Sequence, residues 1–482
     1  MDSIEKVVRT VLEAPDTPDI SPPRISAFEM HSKTDETLIS PNDVETSPTT
    51  PLSRPASQLG TPTHAWAIAI TGLVTLAVAM GIGRFAFTPL MPMMLREQLL
   101  DLSSASWLAS INYLGYLTGG ILCVMQPWFA MLLRRRKPLD ASAIVRFGLV
   151  LTSLLTLGMA IHLPTIWPVL RFASGMASAI VLIFSSGWCL ARLEQLNAGS
   201  LGGVMYAGPG AGIVISGLFT GGVAFAGWSA STGWSILGLL ALLLTTLIWR
   251  TYGLPAIVTS RHGPAPAPAA GALASTTAST SMTSVHNRIE MSLLVAAYGL
   301  AGFGYIITAT FLPVIARQAL PGSVWIDLFW PLFGAAVMIG SLLASRLPRV
   351  GDWRLRLIFA YLMQATGVLV SLVWPSLPGF ILGSVLLGLP FTAITFFAMQ
   401  EVRRLRPRSV ASGIGLSTVS YGIGQVVGPL LVATLLRRSH GTGQGFSWSL
   451  SVAVAALLLG AAIYGVSMRK YPLNTPVLAT PT

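Results

Sequence analysis

Long apolar stretches alternate with short polar loops along most of this chain. Twelve such stretches lie between residues 65 and 468, each about 20–30 residues long. About 20 consecutive apolar residues form a helix that crosses the hydrocarbon core of a bilayer. The pattern therefore predicts an all-α membrane protein with twelve transmembrane helices. They comprise residues 65–94, 105–133, 140–161, 165–193, 200–226, 230–252, 289–316, 324–346, 354–374, 378–402, 410–436 and 446–468.

Two polar regions divide the chain. Residues 1–60 are rich in Ser, Thr, Pro, Asp and Glu, which predicts a disordered cytoplasmic tail. Residues 253–287 form a low-complexity, flexible cytoplasmic linker. We therefore expect one six-helix bundle at 61–252, a second at 288–470, and a cytoplasmic tail at 471–482.

The fifth helix of each predicted bundle carries a similar motif of small residues and proline. Residues 208–212 read Gly-Pro-Gly-Ala-Gly, and residues 422–429 read Gly-Ile-Gly-Gln-Val-Val-Gly-Pro. Small residues at this spacing permit close helix crossings. Their matched positions predict two pseudo-symmetric bundles, as in transporters built from internal repeats.

Charge indicates the orientation of the chain. The net charge is +12 in 482 residues, of which 53% are hydrophobic and 10% charged, with a mean hydropathy of +0.68. Ten of the 18 acidic residues precede residue 50, and most arginines occupy loops on one side of the predicted bundle. We interpret this as the positive-inside rule and not as a nucleic-acid surface. It predicts a multi-pass protein of a bacterial inner membrane with both termini in the cytoplasm.

The sequence contains little that indicates catalysis. Cys123 and Cys189 lie inside apolar segments without the spacing of metal ligands. Neither a Gly-x-Ser-x-Gly motif nor a phosphate-binding loop is present in the sequence. We expect no enzyme activity, no metal and no cofactor.

An arginine lies deep in the first predicted helix. Arg84 is about ten residues from the nearer helix end, and a charge at that depth costs roughly 2.5–3.5 kcal/mol on insertion scales. Gly81 and Gly83 permit close helix approach, and Pro89 permits a kink. Arg84 is expected either to line a polar pathway or to brace two helices.

Arg171, in the fourth predicted helix, has a similar depth. At 1.5 Å per residue, the two arginines differ in depth by only about 5 Å. Their charge has no deep acidic partner, because the acidic residues of the membrane part all lie near helix ends: Glu97, Asp101, Asp140, Glu194, Glu290, Asp327, Asp352 and Glu401. Two interpretations remain: an anionic substrate held by guanidinium groups, or a helix-bracing hydrogen-bond hub at Arg171.

Other polar side chains lie where they can either line a cavity or pack between helices. The candidate substrate-binding residues are Arg84, Asn112, Tyr116, Arg171, Tyr305, Thr308, Thr395 and Gln400. The candidate gating or packing residues are Gly81, Gly83, Pro89, Gly175, Gly208, Pro209, Gly212, Arg346, Pro390, Gly424, Gly428 and Pro429.

The sequence from about residue 60 to about residue 470 resembles the sequences of the major facilitator superfamily. The stretch 171–177 is similar to an arginine-glycine motif of that superfamily, with Ser174 where Gln is common, and 343–349 is a degenerate copy of its loop motif. A more specific resemblance, to the YbfB/YjiJ-like branch, lies in residues 81–89 (Gly-Ile-Gly-Arg-Phe-Ala-Phe-Thr-Pro) and 106–117 (Ser-Trp-Leu-Ala-Ser-Ile-Asn-Tyr-Leu-Gly-Tyr-Leu). The resemblance implies a central cavity lined by helices one, four, seven and ten.

The leading hypothesis is a secondary active or facilitative transporter that moves a small organic solute, predicted to be anionic, by alternating access. One alternative is a multidrug-type efflux transporter of hydrophobic compounds, and another is a membrane sensor or scaffold on a transporter fold. The expected partners are a small-molecule substrate and the lipid bilayer, with protons as a candidate coupling ion. No nucleic acid is expected, and the chain is expected to be a monomer.

Overall fold

The protein is described here by a computed structural model. It describes residues 62–132, 140–253, 279–323, 325–348, 351–407, 410–439 and 441–473. The predicted tail at 1–60, most of the predicted linker and the last nine residues of the chain lie outside the described residues.

Helices make up nearly all of the described chain. The α-helices are Pro62–Leu76, Phe87–Arg96, Leu102–Leu132, Ala141–Gly158, Trp167–Gln195, Gly202–Tyr206, Gly208–Phe225, Ala230–Ile248, Ser279–Ala319, Phe329–Arg346, Trp353–Val373, Leu377–Gly388, Phe391–Leu405, Val410–Arg438 and Thr442–Lys470. A π-helical turn at Ala77–Ile82 follows the first of these, and short 3₁₀ turns lie at Gly199–Leu201, Thr251–Gly253 and Ile326–Leu328.

The prediction of twelve membrane helices is confirmed. Within the described residues, twelve helical spans are long and apolar enough to cross a bilayer, and they are numbered below in chain order. They are His64–Arg96, Leu102–Val124, Ala141–Gly158, Trp167–Gln195, Gly199–Phe225, Ala230–Ile248, Asn287–Ala319, Ile326–Arg346, Trp353–Val373, Leu377–Leu405, Ser412–Arg438 and Thr442–Lys470.

Two spans differ in detail from the sequence prediction. The helix of span seven begins at Ser279, ten residues before the predicted start, because no Pro or Gly interrupts the preceding residues. Span ten is interrupted between Gly388 and Phe391, where Pro390 has no N–H to continue the hydrogen-bond ladder.

Span one is broken near its middle. The π-helical turn ends at Ile82, residues 83–86 form turns, and a second helix begins at Phe87. Pro89 cannot donate to the carbonyl of Phe85, and its ring excludes a regular helix there. The break thus lies just before Pro89 and contains Arg84, whereas the sequence indicated a kink at Pro89 itself.

The packing of the spans repeats between the two halves of the chain. Span one packs on span five, two on four and three on six; span seven packs on eleven, eight on ten and nine on twelve. The halves meet where span two packs on eleven and span five packs on eight. The helices therefore form two pseudo-symmetric six-helix bundles.

Glycines set the closest of these crossings. A methyl group at Gly81 or Gly212 would overlap the backbone of the other helix, and one at Gly424 would overlap Gly299 in the same way. Between the halves, a methyl group at Gly210 would lie 2.6 Å from the carbonyl oxygen of Gly334. Close approach of this kind stabilises helix pairs in lipid through van der Waals packing.

The two ends of the bundle differ in charge. We call the end at which span one begins and span twelve ends the arginine-rich end, because Arg250, Arg354, Arg404 and Arg469 lie there; the opposite, arginine-poor end carries Arg96, Arg317 and Arg437.

A buried ion cluster ties the second bundle together at the arginine-rich end. Arg354 is 1% exposed; it lies 2.7 Å from Glu290 and 2.9 Å from Asp352. Arg404 lies 2.6 Å from Glu401 and also contacts Glu290, which joins spans seven, nine and ten. Burial alone would raise the pKa of Asp352, but hydrogen bonds from Arg354 and the charges of Arg354 and Arg404 outweigh it and lower the pKa.

Candidate functional site

The break in span one frees backbone carbonyl groups in the interior of the protein, and side chains of span four bind them. The hydroxyl of Ser178 donates to the carbonyl oxygen of Ala79 at 2.6 Å, and that of Ser174 donates to Gly83 at 2.7 Å. Nη2 of Arg171 donates to the carbonyl oxygen of Arg84 at 3.2 Å. A non-helical backbone at membrane depth is tolerated where protein groups satisfy it in this way.

Arg84, within the break, contacts neutral groups. Its side chain is 3% exposed, and Nη2 donates to Oε1 of Gln425 at 2.6 Å. Its Cζ lies 3.9 Å from the ring centroid of Tyr116 and 5.0 Å from that of Tyr113, both cation–π contacts. Nε of Arg84 has no hydrogen-bond partner within the part of the chain that the structure describes.

An aromatic cluster connects Arg84 with span ten. Gln425 donates to the hydroxyl of Tyr305, whose ring centroid lies 5.7 Å from that of Tyr421 and 4.9 Å from that of Phe391. Tyr298 stacks on Tyr421 at 4.6 Å, and its hydroxyl donates to Thr395 at 3.0 Å. We use "aromatic cluster" for Tyr116, Tyr298, Tyr305, Phe391 and Tyr421.

The residues of the aromatic cluster and their partners differ in exposure. Tyr116, Phe391 and Tyr421 are half-buried and Thr395 is exposed, although the groups that they contact, among them Arg84, are buried.

Different spans join the two bundles at the two ends. At the arginine-poor end, the second helix of span one packs on span seven. No packing of comparable extent joins spans four and ten across the described residues.

Two predicted substrate-binding residues bind the main chain. Arg171 is 2% exposed and contacts the carbonyl of Arg84 and the ring of Phe87, at 4.8 Å from Cζ to the centroid. Nδ2 of Asn112, which is fully buried, donates to the carbonyl oxygen of Arg171 at 2.8 Å. Arg171 thus braces the break, Asn112 joins span two to span four, and the bracing interpretation of Arg171 describes its contacts better than substrate contact does.

The structure brings the remaining predicted binding residues together only in part. Tyr116, Tyr305 and Thr395 belong to, or contact, the aromatic cluster. Thr308 is 2% exposed and its hydroxyl has no partner among the described residues. Gln400 is half-buried beyond Thr395, and no hydrogen bond or ring contact joins it to the cluster within the described chain.

The predicted packing residues lie mostly at helix crossings. A methyl group at Gly175 would overlap the carbonyl of Asn112, and one at Gly208 would overlap that of Leu73. One at Gly428 would lie 2.5 Å from the side chain of Ile306. Gly83 has no room for a methyl group beside Thr152.

The predicted gating or packing residues also include prolines and Arg346. Pro209 is in the first turn of its helix and Pro429 is inside the helix of span eleven. Arg346 is exposed in the last turn of span eight.

Sequence reasoning missed Gln425, Phe391 and Tyr421 as site residues. Gln425 is an amide inside an apolar, glycine-rich span, and that isolation was the signal that could have identified it. Phe391 and Tyr421 carry no such signal, because aromatic residues are common in packed helices. Within the described residues, no group of three or more His, Cys, Asp or Glu side chains could hold a metal ion.

Comparisons with known proteins agree with this fold. A family profile described as "Uncharacterised MFS-type transporter YbfB" matches residues 76–465. The crystal structure of a point mutant of the nucleoside transporter NupG superposes with a TM-score of 0.61 at 14% sequence identity, over 83% of this chain and 99% of that chain. No curated protein sequence matches.

The twelve spans, the repeated packing of two bundles and the family match lead to one conclusion. The chain is a multi-pass membrane protein that belongs to the YbfB-type transporters of the major facilitator superfamily.

Proposed function

We propose that this transporter carries a small organic anion through the space beside Arg84, by alternating access of the two bundles. The observation that carries the proposal is a buried guanidinium whose described contacts are neutral: an amide oxygen and aromatic rings. Such a charge is costly in the membrane interior unless an anion is bound.

A substrate carboxylate would bind Arg84 more strongly than Gln425 does. Two unit charges 4 Å apart attract by about 4 kcal/mol at an effective dielectric constant of 20. A hydrogen bond to a neutral acceptor contributes about 0.5–1.5 kcal/mol net. Because Arg84 is already desolvated, the incoming anion alone must lose water.

The position of Gln425 offers a coupling between binding and rocking. Arg84 belongs to span one and Gln425 to span eleven, so their hydrogen bond joins the two bundles. An anion that displaces the amide removes this link and leaves Gln425 free to reposition. Binding then changes the relative stability of the open and closed arrangements, as alternating access requires.

The test uses the purified chain in detergent and in proteoliposomes. A thermal-shift screen would compare monocarboxylates, dicarboxylates, amino acids, sugars, nucleosides and cationic drugs, because a ligand that binds the folded state raises the melting temperature. We expect an organic anion to stabilise the wild type and Arg84→Gln to abolish both that shift and uptake of the same anion.

Arg96→Gln is the matched control, since Arg96 lies in the same span but is exposed at its end. Uptake and ligand-induced stabilisation should survive this change. Wild-type anion uptake by Arg84→Gln protein would disprove the proposed role of Arg84.

Efflux of hydrophobic compounds is the second candidate, and the aromatic cluster favours it because rings offer contact area to planar apolar molecules. The same thermal-shift screen distinguishes anion transport from efflux of hydrophobic compounds. A hydrophobic cation should bind better once the positive charge of Arg84 is removed, whereas an anion should bind worse.

We assign the arginine-rich end to the cytoplasm by the positive-inside rule. We further propose that the space beside Arg84 is open to the cytoplasm in this conformation, since spans four and ten do not pack closely on each other within the described residues. We also propose that the protein lies in a bacterial inner membrane, that it is a monomer and that protons are its coupling ion.

A further inference from the structure

A second cavity lies in the first bundle, apart from the aromatic cluster. It has a volume of about 530 Å³ and is bordered by the start of span three, the end of span four and the residues after span six. Its lining includes Arg146, Arg192, Trp188, Tyr252 and Asp140. None of the described residues that line this cavity belongs to the second bundle. The cavity is therefore separate from the space between the two bundles.

Aromatic side chains hold both arginines of this cavity in place. Cζ of Arg192 lies 4.1 Å from the ring centroid of Trp188, and that ring lies 4.6 Å from Tyr252. Tyr252 is fixed in turn by a hydrogen bond of 2.8 Å between its hydroxyl and that of Thr75. Arg192 is 8% exposed, so its guanidinium is a largely desolvated, oriented charge.

Arg146 is oriented independently. Its Cζ lies 5.2 Å from the ring of Trp249, and its Nη2 fills the position that a side chain at residue 253 would occupy, which Gly253 leaves free. Nε of Arg146 is buried without a hydrogen-bond partner among the described residues. A buried guanidinium donor without a partner points to an acceptor that the protein does not supply.

Among the described lining residues, Asp140 is the one carboxylate. It accepts the backbone N–H of Ser142 at 2.9 Å and caps the first turn of span three. With the guanidinium groups of Arg146 and Arg192, the described lining has a formal charge of one positive.

The cavity lies at the arginine-rich end, where the spans end. Arg192 is in the last turn of span four, and Asp140 directly precedes span three. This is the level at which phospholipid head groups meet a membrane protein, and basic pockets between helices at that level bind anionic head groups.

We propose that this cavity binds a phosphate group, held by Arg146 and Arg192. Paired guanidinium groups match the geometry of phosphate oxygens, and the aromatic walls suit the glycerol and ester parts that adjoin the phosphate of a lipid. The phosphate comes either from an anionic phospholipid of the adjoining leaflet or from free phosphate in the adjoining solution. The proposal does not depend on the transported substrate.

The test measures the melting temperature of the full chain in neutral detergent. The additions are dioleoyl-phosphatidylglycerol, dioleoyl-phosphatidylcholine or inorganic phosphate. We expect phosphatidylglycerol to stabilise the wild type more than phosphatidylcholine does, and Arg146→Gln and Arg192→Gln each to weaken its apparent affinity about tenfold, since each change removes a charged hydrogen-bond donor to the phosphate. Stabilisation by inorganic phosphate with the same dependence on both arginines would identify free phosphate as the source.

Arg250→Gln is the matched control. Arg250 is exposed at the same end of the bundle, outside the cavity lining, so this change removes the same charge and should leave the affinity unchanged. Equal weakening by all three variants would indicate unspecific attraction to the basic surface and would overturn the proposal. So would the absence of stabilisation by either phosphate source.

Native mass spectrometry of the wild type provides a second measurement that needs no variant. One phosphatidylglycerol, or one phosphate, should be retained in preference to phosphatidylcholine at collision energies that strip detergent. Equal retention of both lipids, with no phosphate bound, contradicts the site even if the arginine variants fail to fold.

Discussion

Two arginines of equal burial have different roles because of what lies within reach of each. Arg171 donates to a backbone carbonyl that the break in span one has freed, while Arg84 donates to the side-chain amide of Gln425. A carbonyl in a broken helix is a fixed acceptor that cannot leave. An amide on a neighbouring bundle is an exchangeable one, which is why we propose Arg84 and not Arg171 as the anion site.

Arg171→Gln should lower the stability of the folded protein without weakening anion binding by the fraction that folds. The carbonyl oxygen of Arg84 would lose its donor, and a buried polar group left without a partner costs about 1–3 kcal/mol. Thermal unfolding in detergent and ligand affinity, measured on the same sample, check this.

Ser174→Ala should lower the melting temperature by a smaller amount, as it removes one donor from the same break. Ser447→Ala is the control, because that exposed hydroxyl binds a carbonyl of its own helix. An Arg171→Gln protein with wild-type melting temperature but no anion binding would contradict the bracing role.

At the scale of helices, the bundle depends on small residues that let backbones touch. Span five contains both kinds of glycine: Gly212 lies against Ala77 and Gly81 of span one, whereas Gly222 has open space around it. Span five therefore provides one glycine at a helix crossing, Gly212, and a matched control glycine with open space around it, Gly222.

Gly212→Ala should destabilise the protein by about 1–3 kcal/mol, the usual cost of overpacking a filled interior. Gly222→Ala should be neutral or stabilising by up to about 1 kcal/mol, since alanine favours helix more than glycine does. Chemical unfolding in mixed micelles provides the comparison. Equal effects of the two changes would mean that the crossing of spans one and five is looser than the structure describes.

At the scale of the whole molecule, different spans join the two bundles at the two ends. Spans one and seven meet at the arginine-poor end, and the exposed Thr395 lies on the other side of the aromatic cluster. The alternating access that we propose predicts that Thr395 is reached from the arginine-rich side in this conformation.

Cysteine labelling tests this asymmetry. In a Cys123→Ser, Cys189→Ser background, Thr395→Cys should react with a membrane-impermeant maleimide applied from the arginine-rich side, and a transported anion should slow the reaction. Thr310→Cys is the control, because Thr310 is 1% exposed and bonded to Tyr113. If the Thr310→Cys protein were labelled as fast as the Thr395→Cys protein, the proposed opening of the space beside Arg84 to one side only would be contradicted.

The sequence by itself determined the twelve spans, their division into halves and the presence of deep arginines. Hydropathy is a property of each residue, and a helix in lipid satisfies its own backbone, so these features need no knowledge of neighbours. The same reasoning located Arg84 and Arg171 but could not separate their roles.

Only the tertiary structure decided which acceptor each guanidinium binds, where span one breaks, and that Gln425, Tyr421 and Phe391 meet beside Arg84. These partners lie far apart in the chain: Arg84 and Gln425 are separated by 341 residues, and Arg171 and Arg84 by 87. The hydrophobic periodicity of the sequence does not predict such contacts, because they arise from how rigid helices pack against one another. The roles of the polar residues depend on that packing, since a buried charge is defined by the groups around it.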